Sequence, residues 1–144
     1  MALTRMVTGR VLIPGRARGE ALVLDAPISF WGGVSPGDGR IVDPRHPQHG
    51  ATLTGTVLLI AETVGSSSSS SILLELLRQG LGPAALLLRT LDAVLPLGAV
   101  VAEELGYAPC PVLEIDWGPL EPRTGDVLRV EAVGSSGQVL LDAG

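Results

Sequence analysis

Val57-Leu58-Leu59-Ile60, then Gly65 with six serines at 66–71, then Ile72-Leu73-Leu74-Glu75-Leu76-Leu77-Arg78-Gln79-Gly80, then an apolar run at 84–88: this stretch decides the fold. The first run has strand length and no polar alternation, as a strand buried on both faces would. In the third run Ile72, Leu73, Leu76 and Leu77 share one helical face, while Glu75, Arg78 and Gln79 gather on another. A serine supplies the N-cap, and Gly80, followed by Gly82-Pro83, stops the helix. The capping box is not completed, because the residue three before Glu75 is Ile72. Residues 84–88 then form a second apolar strand, so 57–88 is a β-α-β unit of ordinary crossover length.

The serines therefore sit where a buried strand hands over to a helix. A glycine-serine turn at that place directs backbone N–H groups and hydroxyls toward one point, with the positive end of the helix dipole behind them. Such a turn holds an anion or activates a hydroxyl. The competing reading is a flexible Gly/Ser linker. A linker should separate two self-sufficient cores, yet each half of this chain has at most about 75 residues, near the lower range for independent folding. Strand and helix patterns also run up to both ends of the serines. The functional turn is the better reading.

At 144 residues the chain is expected to form one domain, 1–144. Hydrophobic content of 46% against 17% charged residues excludes disorder. Nineteen glycines and eleven prolines imply many tight turns, hence a β-rich or α/β domain of short elements. With aromatics at 3%, the core has to be built from Leu, Val, Ile and Ala. A net charge of −5 and the lack of any Arg cluster give no pull toward nucleic acid. No apolar run reaches 18 residues, which argues against a membrane span, and no signal peptide is legible at the start, so a cytoplasmic location is expected. The single cysteine, Cys110, cannot make an internal disulfide or a metal site by itself and reads as a small buried hydrophobe.

Elsewhere the pattern predicts short pieces. A brief apolar run at 11–13 closes at Pro14-Gly15, and a strand at 20–25 follows an Arg18-Gly19 turn. Residues 28–31 read as extended up to the Gly32-Gly33 pair, with a turn at 35–39, a short strand at 40–43 and a further strand over 52–60. Both histidines, His46 and His49, fall in a proline-bounded loop at 44–50. Beyond the helix, 91–98 reads as a turn or short helix, 99–105 as a fraying strand or one helical turn, and 112–115 as a strand. Residues 126–133 alternate, with Val127, Arg129 and Glu131 facing one way and Leu128, Val130 and Ala132 the other. A turn at 135–137 then brings 139–141 back as a hairpin.

A serine hydroxyl needs an activator before it acts as base or nucleophile. No Ser-His-Asp order is legible, the G-x-S-x-G elbow is absent, and a phosphate-binding P-loop is excluded by the lack of any lysine. What remains is a serine whose alkoxide is stabilised by backbone N–H groups at the helix start, an arrangement suited to proton abstraction next to a carboxylate. His46-x-x-His49 offers two metal ligands at most and reads better as a rigid loop whose histidines hydrogen-bond locally. Trp31 and Trp117 read as core or interface.

The order of these pieces resembles the small subunit, or swivel domain, of aconitase X. The matching stretches are Gly19-Glu-Ala-Leu-Val23, Ile28-Ser-Phe-Trp-Gly-Gly-Val34, Ile41-Val-Asp-Pro-Arg-His-Pro47 and Gly55-Thr-Val-Leu58. They continue with Gly65-Ser66-Ser67 and its helix, Pro83-Ala84, Pro96-Leu-Gly98 and Ala102-Glu103. The resemblance implies an α/β fold, the swivelling β/β/α domain of the aconitase type, with short strands and one well-defined helix after the serine turn. It implies a hydro-lyase active only with a large partner subunit, which holds an iron–sulfur cluster through its own cysteines. The family's Gly-Ser step maps onto Gly65-Ser66. Ser66 is then the expected base, and Gly65, Ser67, Ser68 and His46 are expected to contact a small carboxylate substrate, with the register inside the serine run open by one residue.

Two substrates are implied, cis-3-hydroxy-L-proline and mevalonate 5-phosphate. The archaeal phosphomevalonate pattern carries a basic residue where this chain has Val64, so a phosphate partner is missing and the hydroxyproline reading is preferred. From another class, a non-catalytic anion-binding module remains as the alternative.

Overall fold

The computed structural model describes residues 4–64, 68–90 and 94–142. In chain order its elements are β1 (Thr4–Ile13), β2 (Gly15–Val23), α1 (Phe30–Gly33), β3 (Val57–Ile60), α2 (Ser69–Gln79), β4 (Ala85–Leu88), α3 (Pro96–Glu104), β5 (Val112–Glu114), β6 (Val127–Val133) and β7 (Ser136–Asp142), with a 3-10 turn at Gly118–Leu120. The strands close into a barrel in the order β1-β5-β4-β3-β2-β6-β7. Its two halves differ in character. From β2 through β3 and β4 to β5 all pairings are parallel, whereas β6 and β7 form an antiparallel hairpin that joins β2 to β1.

Side-chain alternation divides the core in two. On β3, β4 and β5 the residues Val57, Leu59, Ala85, Leu87 and Leu113 point into the barrel, where they meet Leu128, Val130, Val139 and Trp117. Their neighbours Leu58, Ile60, Leu86, Leu88 and Val112 point outward and are covered by α2 and α3. This double burial is why β3 and β4 lack polar alternation. The apolar face of α2 supplies Ile72, Leu73, Leu76 and Leu77 to the outer core; Leu73 and Leu76 are fully buried, each worth about 2 kcal/mol by area removed from water. Gly80 takes the left-handed conformation at φ 74° and ends the helix, as the sequence implies.

The β-α-β unit, the β6–β7 hairpin and the mixed α/β class agree with the sequence reading, and five elements differ. The short apolar run at 11–13 is the end of a ten-residue strand, β1, whose remaining length pairs with β7. Arg18-Gly19 is not a turn but the middle of β2; a Cβ on Gly19 would lie 2.6 Å from the Gly55 carbonyl oxygen, so the glycine permits close packing rather than a bend. Residues 28–31 are not a strand: Ile28 forms one parallel bridge to Thr63, and α1 is a single irregular turn in which Gly32 has φ 80°. Residues 40–43 and 52–56 contribute isolated bridges, Val34 to Ile41 and Arg40 to Thr52, and the strand after them begins only at Val57. Residues 96–104 form a full helix, α3, with Pro96 in its first turn, where a missing N–H costs nothing.

Candidate functional site

Because β2, β3, β4 and β5 run parallel, their carboxyl ends lie along one edge of the barrel, the edge at which α/β sheets hold ligands. The segment joining β3 to α2 leaves β3 at this edge. Gly65, Ser66 and Ser67, the expected base and two of its companions, lie outside the described residues. Ser68, the fourth expected contact, is the N-cap of α2 at φ −72° and ψ −11°, and its carbonyl accepts from Ser71 N at 3.0 Å. The first turn of α2 carries no acidic side chain of its own, and Arg78 stands in the last turn, so the positive end of the helix dipole faces the segment that joins β3 to α2.

The turn is held at both ends by one segment. Before it, Val64 N donates to Ile28 O at 3.0 Å; after it, Ser69 Oγ accepts from Trp31 N at 3.3 Å. Residues 28–31 thus bracket the serines, and the Phe30–Gly33 turn lets the chain bend between its two contacts.

That bracket is itself anchored by the histidine loop. His46 is 6% exposed, and its Nδ1 accepts from Gln48 N at 3.0 Å. The ring is therefore the Nε2–H tautomer when neutral, and Nε2 donates to Ala26 O at 3.1 Å. Gln48 adds a second clasp: its Oε1 accepts from Asp25 N at 3.1 Å, and its Nε2 donates to the Asp25 carboxylate. His46 and Ser69 are the two buried polar side chains among the described residues, and both serve this chain of contacts from loop to bracket to turn. In this arrangement both ring nitrogens of His46 are occupied by the protein.

A cation that the sequence reading did not single out also stands on this edge. Arg89 follows β4 directly, and its N–H donates to Ile60 O at 3.1 Å, which places it one strand from the start of the serine segment. Its guanidinium lies 4.3 Å from the centre of the Trp117 ring and 3.8 Å from the Asp116 carboxylate, which is mostly exposed. The stacking orients the charge, while the ion pair, open to solvent, holds it only weakly. Trp117 is buried, whereas Trp31 is 58% exposed beside the helix start.

Among the described residues no three His, Cys, Asp or Glu side chains converge. Cys110 is buried, and that burial pushes its thiol up to about 12, so it is held protonated and closed to a metal. An iron–sulfur cluster, the cofactor implied by the resemblance, does not fit these residues.

Residues 6–140 match the family model described as the aconitase X swivel domain. A Pseudomonas aeruginosa protein named cis-3-hydroxy-L-proline dehydratase is 46% identical over 105 residues, covering 73% of this chain but 18% of that protein. The phosphomevalonate dehydratase small subunit of Methanothermobacter thermautotrophicus is 39% identical over 93 residues, covering 65% of this chain and 71% of that subunit. The crystal structure of Thermococcus kodakaraensis aconitase X in its holo-form contains a chain that superposes with a TM-score of 0.81 at 25% identity, covering 94% of this chain and 98% of that one. The matched part of this chain is thus less than a fifth of the hydroxyproline dehydratase and most of the small subunit.

Proposed function

The chain belongs to the aconitase X swivel-domain family, and from that premise we propose that it is the small subunit of a hydro-lyase that removes water from a small hydroxy acid. The observation that carries the proposal is the serine turn at the carboxyl edge, clasped at Val64 and Ser69 by one segment and backed by the positive end of α2. Hydrogen bonds that fix the chain on both sides of the turn, at Val64 and Ser69, support a preorganised site of the kind that stabilises developing negative charge.

In this reading Ser66, as its alkoxide, takes the proton from the substrate carbon adjacent to the carboxylate, the C–H electron pair becomes the new C=C bond, and the hydroxyl on the neighbouring carbon leaves with its bonding pair as hydroxide, to be received and protonated to water in the partner subunit's part of the site. Gly65, Ser67 and Ser68 present N–H and hydroxyl groups to the carboxylate. Arg89 supplies a charge-assisted contact from the adjacent strand end. His46 acts by holding the Asp25 to Trp31 segment against the turn. The iron–sulfur cluster and the rest of the site belong to a large partner subunit, which the small-subunit names of the archaeal relatives support.

The preferred substrate is cis-3-hydroxy-L-proline. The 46% identity to the Pseudomonas protein, against 39% to the Methanothermobacter subunit, favours it, as does the neutral, half-exposed Val64 beside the turn. Mevalonate 5-phosphate is the second reading. The test is to co-express this chain with an aconitase X large subunit of the same source and assay the purified complex against both substrates. Turnover of hydroxyproline and its loss in Ser66→Ala, with assembly retained, is the expected result. A complex inactive on both substrates, with the isolated chain binding carboxylates on its own, would leave the non-catalytic anion-binding module instead.

A further inference from the structure

The helix α3 is built the wrong way round for a surface helix. Its inward side consists of Pro96, Gly98, Ala99 and Ala102, all buried and small, and a Cβ on Gly98 would collide with the Ser70 carbonyl oxygen of α2. Its outward side carries Leu97, Val100, Val101 and Leu105, which are 41–57% exposed, with Glu104 among them and Glu103 exposed at its flank. An ordinary surface helix puts its large apolar residues inward and its charges outward, and one that is apolar all round is a buried helix. The first turns of α3 and α2 are in contact through Gly98 and Ser70, and two further exposed apolar side chains, Val64 (49%) and Trp31 (58%), flank the start of α2. Large apolar side chains grouped on the solvent side of one helix mark a protein–protein surface.

We propose that the outer face of α3 is the surface on which the large subunit docks. This rests on the hydro-lyase reading above. Two observations choose the occupant. In the Pseudomonas relative the matched stretch is 18% of the chain, so a body several times larger is joined to this domain in one polypeptide and must lie against some face of it. A second copy of this chain fits poorly: a two-fold contact sets identical patches against each other and would bring both Glu104 carboxylates into one apolar interface. The docking surface of the partner is accordingly apolar, with a cationic side chain opposite Glu104.

The experiment titrates the full-length chain against the purified large subunit and compares wild type with Val101→Glu and Leu105→Glu. Val133→Glu, on the exposed β6–β7 hairpin, serves as control. A charge forced into the centre of the interface should weaken binding about a hundredfold, whereas the control binds as wild type. The melting temperatures of the isolated variants should stay within about 2 °C of wild type, since ordinary surface changes move stability little. Wild-type affinity in both α3 variants overturns the assignment, as does self-association of the isolated wild-type chain that these variants abolish. If the wild-type chain and the large subunit do not bind at all, the hydro-lyase reading itself falls. Binding that persists in both variants leaves that reading standing and removes only the interface.

Discussion

Replacing Gly98 by alanine sets two well-known effects against each other, and the tertiary structure determines which wins. Inside a helix, alanine is favoured over glycine by about 1 kcal/mol, so on local grounds Gly98→Ala should stabilise the chain. In the folded protein the added Cβ runs into the Ser70 carbonyl oxygen and stands 3.1 Å from both Leu73 Cβ and Leu74 N. The first obstacle is backbone inside α2, which cannot rotate away, so α3 must move off α2. Overpacking of this kind costs about 1–3 kcal/mol, and a carbonyl obstacle belongs at the upper end. The net expectation is a loss of about 1–2 kcal/mol, or a melting temperature lower by about 3–8 °C for a domain of this size. Urea denaturation followed by circular dichroism measures it. Because Ser70 lies in the first turn of α2, the reconstituted complex should also lose turnover. A variant about 1 kcal/mol more stable than wild type, with unchanged turnover, would refute the packing of α3 on α2.

Three further outcomes follow from the site. His46→Ala leaves the Ala26 carbonyl and the Gln48 N–H without partners and opens a cavity; we expect a loss of about 2–3 kcal/mol in urea titrations and faster amide exchange at Val64, and unchanged exchange would remove the loop from its anchoring role. Arg89→Gln should raise the KM of the reconstituted complex about tenfold or more with a smaller change in kcat, and an unaltered KM would exclude a contact with the carboxylate. Cys110 gives a pH signature. Its folded thiol titrates near 12 and its unfolded thiol near 9, so neither state is ionised at pH 7 and nothing is contributed there. Between the two values the unfolded state binds fewer protons, so stability falls as pH rises, by up to about 1.4 kcal/mol per pH unit. Cys110→Val should flatten that slope relative to wild type, and parallel profiles would contradict the burial.

The β-α-β unit was legible because each of its parts is encoded locally. An apolar run with no alternation requires cover on both faces, and the spacing of Ile72, Leu73, Leu76 and Leu77 admits one helical face. Val127 to Val133 was legible for the same reason, since its alternation maps directly onto inside and outside of the barrel. β1 was read short because Thr4 to Arg10 shows little hydrophobic pattern and is a strand chiefly through its pairing with β7, more than 120 residues away. Arg18-Gly19 misled because a glycine required for close approach is written like a glycine required for a turn. α3 misled because its run from Pro96 to Ala102 is apolar on every side and has no period to read.

By itself, then, the sequence determined the strand–serine–helix unit, its family and the residue types available for chemistry, because periodicity and motif are properties of neighbouring residues. Only the tertiary structure decided how the serine turn is held. The bracket from Ile28 to Trp31, its anchoring by His46 and Gln48, and the position of Arg89 one strand away all join residues separated by tens of positions. Hydrogen bonds between such residues exist only once the closed barrel has brought the carboxyl ends of its parallel strands together.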